Sequence, residues 1–357
     1  MSSTRPTADA ETDTDTDTDG GGTGAAHVPV PVAAPVPRPS ARRAVIALAL
    51  MTVAALIPLL GPSAALHGTG EAAAPGAGGI GLLRTLLFAA LCVPAGELLV
   101  ARLARRVPGA PLADAPRSWA PYAACAGFVA ALGLASVVAT GNLVPHGLAE
   151  IDVGGLYRTR DGSLALLEVN AFLVAGLSAL SRRPSLQVWP PAAVIVAEAL
   201  RAHPTTEHGP LVGSGLTAVH LVCASLWAGG LQHVLRTLRH WRASSGIGAA
   251  LLGLYARVAA VLLALITATG VWSSLRRMPP DTVLDQLTTT AYGRALLAKL
   301  LLVAVVAVLA LVSRQRMRRA ADPLGACAPA RAEVVALGLV VAVSGLLTAL
   351  PLPIRWS

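Results

Sequence analysis

The sequence predicts an all-α fold: a polytopic transmembrane bundle of about nine helices, N-terminus cytoplasmic and C-terminus outside. Three observations carry this. Of 357 residues, 54% are hydrophobic and only 13% charged, where a soluble domain carries about 25% charged residues. The apolar residues gather in runs that match the roughly 20 helical residues needed to cross about 30 Å of hydrocarbon. Arginines concentrate in alternate connecting loops, as expected for cytoplasmic loops. The apolar mass is Ala, Leu and Val, with 34 Gly and 4% aromatics. That composition suits close helix packing and not a membrane β-barrel with aromatic girdles.

Residues 1–40 read as a disordered cytoplasmic tail. ETDTDTDTD, GGGTG and VPVPVAAPVPRPS follow one another there, and such low-complexity sequence buries too little apolar surface to offset its ordering entropy. No charged n-region precedes an apolar core at the start, so this is not read as a signal peptide. The predicted spans then run 44–65, 80–102, 119–140, 163–181, 187–202, 212–236, 250–273, 292–313 and 331–350. The fifth is short and opens on Trp189-Pro190-Pro191. Residues 41–185 form an N-terminal group of spans and residues 186–357 a second transmembrane region.

Charge fixes the predicted orientation. The inward loops carry Arg38, Arg42 and Arg43; Arg102, Arg105, Arg106 and Arg117; Arg182 and Arg183; Arg236, Arg239 and Arg242; and Arg314, Arg316, Arg318 and Arg319. Outward loops 67–79 and 203–211 have no Arg. Arg276 and Arg277 in 274–291 depart mildly from the pattern. Omitting the fifth span would turn the Arg236 cluster outward, which argues for keeping it. The net charge of +9 thus belongs to loops facing the cytoplasm, and no aromatic-interleaved basic patch suggests nucleic-acid binding. Cys92, Cys125, Cys223 and Cys327 are scattered, with no disulfide framework or zinc module. A GxxxxGK[ST] loop and a nucleophile elbow are both missing, so no enzymatic activity is expected.

In this orientation His67, His146, His203 and His208 lie at the outer face, and His233 and His240 at the inner end of the sixth span. His27 is in the tail. His220 lies inside the sixth span, in TAVHLVCASLWAGGL, with Cys223 and Trp227 on its helical face. An ionisable group at that depth marks a site or a buried pair, and imidazole with thiolate suits a soft metal such as Cu(I). Glu168, Glu198 and Lys299 fall in outer halves of spans, Glu97 and Arg257 in inner halves. Pairing is expected for each: Glu97 with Arg257, and Lys299 with Glu198 or Glu168.

TAVHLVCASLWAGGL resembles the hallmark helix of the copper resistance protein D (CopD) family: His, then Trp, then Gly-Gly. YARVAAVLLALITATGVW at 255–272 resembles the family's next helix, and TTTAYGRALLAKLLLV at 288–303 the one after, with Tyr-Gly-Arg at its mouth and a Lys deeper. AEALRAHPTTEHG resembles the family's outer histidine segment. The resemblance runs over about 195–350 in one order; the earlier spans match by hydropathy alone. It implies a multi-pass plasma-membrane protein of copper handling, with His203 and His220 as copper contacts. His208, Glu198 and Cys223 complete the expected metal set. Trp227, Gly229, Gly230, Arg257, Tyr292, Lys299 and Glu97 are the expected structural or gating residues. In the second span, where the family often has a further polar or His position, Glu97 is the one read here. Apart from Met1, methionines are limited to Met51, Met278 and Met317, so a methionine ladder is excluded.

The function expected is copper binding at the outer face with a part in import or tolerance. The expected partners are the lipid bilayer, the copper ion and an extracytoplasmic copper-binding protein. Two alternatives stand beside it: a non-transporting copper-handling partner of another membrane protein, and a haem-carrying electron-transfer protein using His220 and His233.

Overall fold

A computed structural model describes residues 41–72, 74–141, 143–145, 147–181, 185–205, 209–241, 245–278, 280–319 and 328–351. Two compact units divide the chain, Met1–Ala44 and Val45–Ser357. Of the first unit only the residues that begin the first helix are described. All that follows concerns the second.

Every regular element among the described residues is a helix, and none of them is a strand. The helices are α1 Ala41–Leu66, α2 Ala77–Ala104, α3 Ala120–Ala139, α4 Val153–Arg158, α5 Arg160–Leu180, α6 Trp189–Arg201, α7 Pro210–His240, α8 Ser245–Arg277, α9 Val283–Thr289, α10 Ala291–Arg319 and α11 Ala328–Leu347. Seven of the described helices, α1, α2, α3, α5, α7, α8 and α10, are long and apolar enough to cross a membrane. The two other expected spans coincide with α6 and α11. α6 has 13 residues, which rise only about 20 Å at 1.5 Å each. Its start is set by Pro190 and Pro191, which fit the first turn, where no N–H partner is needed.

Local chemistry sets the other boundaries. Gly76 and Gly209 stand in left-handed conformation (φ 70° and 68°) immediately before α2 and α7, and Pro210 supplies the first turn of α7. Thr159 accepts the Gly162 N–H at 3.1 Å and caps α5.

Helices α2 and α7 lie at the centre. α2 packs on α3, α7 and α11; α7 packs on α2, α8 and α6. One core, on the α7 side, joins Val100, Trp227, Leu231, Val234, Leu251, Tyr255 and Val306. A second joins Leu87, Leu91, Ala130, Leu134, Phe172 and Val194 across α2, α3, α5 and α6. Between them the α2 and α7 backbones touch. A Cβ on Gly229 would come within 1.8 Å of the Cys92 carbonyl oxygen, and one on Gly96 within 2.1 Å of the Gly229 carbonyl carbon. Small residues are what allow such an approach.

Hydrogen bonds between loops define two ends. One end gathers His67, Glu71, Leu200, Gly209, Arg276, Tyr292 and Arg294. The other gathers Glu97, Arg117, Ser118, Trp119 and Arg236.

Candidate metal-handling site

One face of α7 organises the site. Gly213, Thr217, His220 and Trp227 recur at spacings of four, three and seven, so they stack on one side of the helix. His220 Nδ1 lies 3.1 Å from Thr269 Oγ1 of α8. The Thr269 hydroxyl also lies 2.7 Å from the Leu265 carbonyl and 3.1 Å from that of Ile266. Gly270 passes beside the ring: a Cβ there would meet His220 Cε1 at 3.7 Å.

His203, just past α6, is buried at 4% exposure. Its Nε2 sits 2.9 Å from Thr217 Oγ1, and its ring occupies the space left by the bare Cα of Gly213, where a Cβ would approach Nδ1 to 2.4 Å. Thr217 and His220 are three residues apart, about 4.5 Å along the helix axis. Both predicted copper contacts therefore lie against one strip of α7: His220 belongs to it, and His203 is held to it by Thr217. Cys223 is buried one turn further on, within the apolar core. His208, His146, His27 and Cys327 lie outside the described residues. His67 is exposed at the end of α1. Among the described residues, no three His, Cys, Asp or Glu side chains converge as a metal-binding group.

Glu198 is already engaged. Arg84 of α2 holds both its carboxylate oxygens. Arg201 reaches it at 3.4 Å and Glu168 of α5 at 3.0 Å. Two arginines and two glutamates thus form a neutral buried quartet across α2, α5 and α6. This corrects the expected pairing of Lys299 with Glu198 or Glu168: α6 packs on α2 and α5, while α10 packs on α9 and α11, so the arginines are the cations that reach these carboxylates. It also corrects the reading of the second span, where Arg84 stands beside Glu97 as a polar position. Its one visible signal was a lone charge in LLRTLLF.

At the opposite end Glu97 accepts hydrogen bonds from Ser118 Oγ and, at 2.7 Å, from the Trp119 N–H. Arg236 lies 3.5 Å away and His233 Nδ1 3.9 Å away. The partner of Glu97 is therefore Arg236 and not Arg257, which is exposed on α8. Arg236 is held in place by stacking 3.7 Å above the Trp119 ring, a tertiary contact that span-by-span reading does not reveal.

The remaining expected residues serve packing. The Trp227 carbonyl accepts the Tyr255 hydroxyl at 2.6 Å. Gly230 lies under the Tyr255 ring, 2.7 Å from a built Cβ. Tyr292, Gly293 and Arg294 fasten the start of α10. The Tyr292 hydroxyl accepts from Arg277 at 3.0 Å. Gly293 admits the Gln286 carbonyl, which a Cβ would meet at 1.9 Å. Arg294 donates to the His67 carbonyl at 2.7 Å, while Glu71 accepts the Ala291 N–H at 3.0 Å. The α1–α2 loop is thereby clamped onto α10.

Residues 249–350 match the family model described as copper resistance protein D. Comparisons with curated proteins and with solved structures returned no match. The matched segment covers α8 to α11 and so supplies Thr269, Lys299 and the Tyr-Gly-Arg clamp, while His203 and His220 precede it.

Proposed function

We propose, from the match of residues 249–350 to the copper resistance protein D family model, that this membrane protein handles copper, binds it through His203 and His220 and takes part in its import or tolerance. The observation that carries the reading is the strip of α7 that bears His220 and, three residues before it, holds the His203 ring at Thr217. The nearby carboxylates are matched by arginines, so an ion there would be held by neutral nitrogen. Imidazole without carboxylate favours a transition ion such as copper over hard cations such as Mg²⁺ or Ca²⁺. Glu198 then serves to hold the site's walls, and Cys223 remains a reserve ligand one turn deeper.

In this reading nine spans cross the plasma membrane, with the tail inside, the C-terminus outside and the His203 end facing outward. The Arg236 end lies at the cytoplasmic face, in keeping with the positive-inside rule. An extracytoplasmic copper-binding protein would deliver the ion, and the chain acts as a carrier and not as an enzyme.

The test is copper accumulation and copper tolerance in cells making the wild type, His203→Ala or His220→Ala, with metal content of the detergent-purified proteins. The wild type should retain copper and both variants should lose it. Equal uptake, tolerance and metal content across all three would sink the proposal.

A further inference from the structure

We infer that Thr269 is a positioning residue that fixes His220 in one tautomer, Nδ1 protonated, and so presents Nε2 as the nitrogen free to meet a ligand. This rests on the reading of His220 as a copper contact. A neutral imidazole has one donor nitrogen and one acceptor nitrogen, and the partner of one decides the role of the other.

Thr269 Oγ1 has a single proton to give. That proton is within 2.7 Å of the Leu265 carbonyl, one turn back on its own helix, and 3.1 Å of the Ile266 carbonyl. A helical threonine commonly bonds these carbonyls, and both can only accept. With its proton spent there, the hydroxyl meets His220 Nδ1 at 3.1 Å through a lone pair, so Nδ1 carries the hydrogen. Thr269 therefore selects the tautomer, and the lone pair falls on Nε2. Threonine here does what a carboxylate or backbone carbonyl does behind a metal-bound histidine, orienting the ring from the far side. It brings no charge into the membrane. Thr269 lies inside the matched CopD segment and His220 outside it, so the segment would set the chemistry of a ligand it does not itself contain.

The experiment uses the full chain, labelled with ¹⁵N-histidine and free of copper, in alkaline buffer where imidazole is neutral. Its ¹⁵N spectrum reports the tautomer, and His220 is assigned by comparison with His220→Gln. The wild type should show His220 protonated at Nδ1. Thr269→Val should shift it toward the Nε2-protonated form or a mixture, and Thr269→Ser, which keeps the hydroxyl, should restore the wild-type signal. Titration with Cu(I) should then show affinity lowered about 10- to 100-fold in Thr269→Val and near wild type in Thr269→Ser. An Nε2-protonated His220 in the wild type, or a tautomer unmoved by Thr269→Val, overturns the inference. If the tautomer behaves as stated but the wild type takes no copper, the copper reading fails and the positioning role stands.

Discussion

The closest contact in the bundle yields the sharpest prediction. Gly229 of α7 lies so near α2 that a Cβ would stand 1.8 Å from the Cys92 carbonyl oxygen, and contacts under 3.0 Å are essentially never seen. The Gly229→Ala change must therefore open the α2–α7 crossing by at least 1.2 Å, the difference between those two distances. Rotating a side chain cannot relieve it, because both partners are backbone. Overpacking a core usually costs about 1–3 kcal/mol, and a rigid clash between the two central helices belongs at the top of that range. Gly215 is the control. It lies on the same helix, and a Cβ there meets nothing within 4 Å. Gly215→Ala should be neutral or stabilising by up to about 1 kcal/mol through helix propensity. Unfolding of each purified variant in one detergent, followed by circular dichroism, measures both. Equal stability of Gly229→Ala and the wild type, or matching losses in the two variants, would show that the crossing is not as tight as described.

Other outcomes follow from the ionic contacts. Arg84→Leu leaves three buried charges of the quartet and should destabilise by roughly 3–5 kcal/mol. Adding Glu198→Leu restores neutrality, with the Arg201–Glu168 pair intact, and should recover most of that loss in the same unfolding assay. Glu71→Ala removes the acceptor of the Ala291 N–H and should cost about 1 kcal/mol, with faster proteolysis of the 67–76 loop as the direct readout. Trp119→Leu removes the ring under Arg236; a loss of about 0.5–2 kcal/mol is expected. That loss should largely vanish when Arg236→Gln is already present.

The helices were legible because lipid leaves the chain few options: apolar length and loop arginines are one-dimensional signals, and α1, α2, α3, α5, α7, α8 and α10 stand where the runs place them. The sharing of one α7 face by His220 and Trp227 was visible through their spacing. What stayed hidden was partner choice. Lys299 and Arg257 were natural candidates by depth alone, yet Glu198 and Glu97 chose Arg84 and Arg236. Depth ranks candidates along the membrane normal but says nothing about which helices are neighbours. Thr217 and Thr269 escaped notice for a related reason. Threonine is unremarkable in an apolar helix until a histidine on another element is seen to face it.

The Arg84–Glu198 pair also bears on how the chain is made. The two residues are 114 positions apart, and synthesis at about 5–20 residues per second separates them by roughly 6 to 23 s. During that interval α2 holds an arginine with no partner, at a cost of about 2.5–3.5 kcal/mol if it enters lipid alone. That cost is lifted once α6 has been made and Glu198 meets the guanidinium. The quartet thus closes only after α6 is made, and a ribosome stalled before Glu198 should leave α2 less firmly held in the membrane than in the full chain.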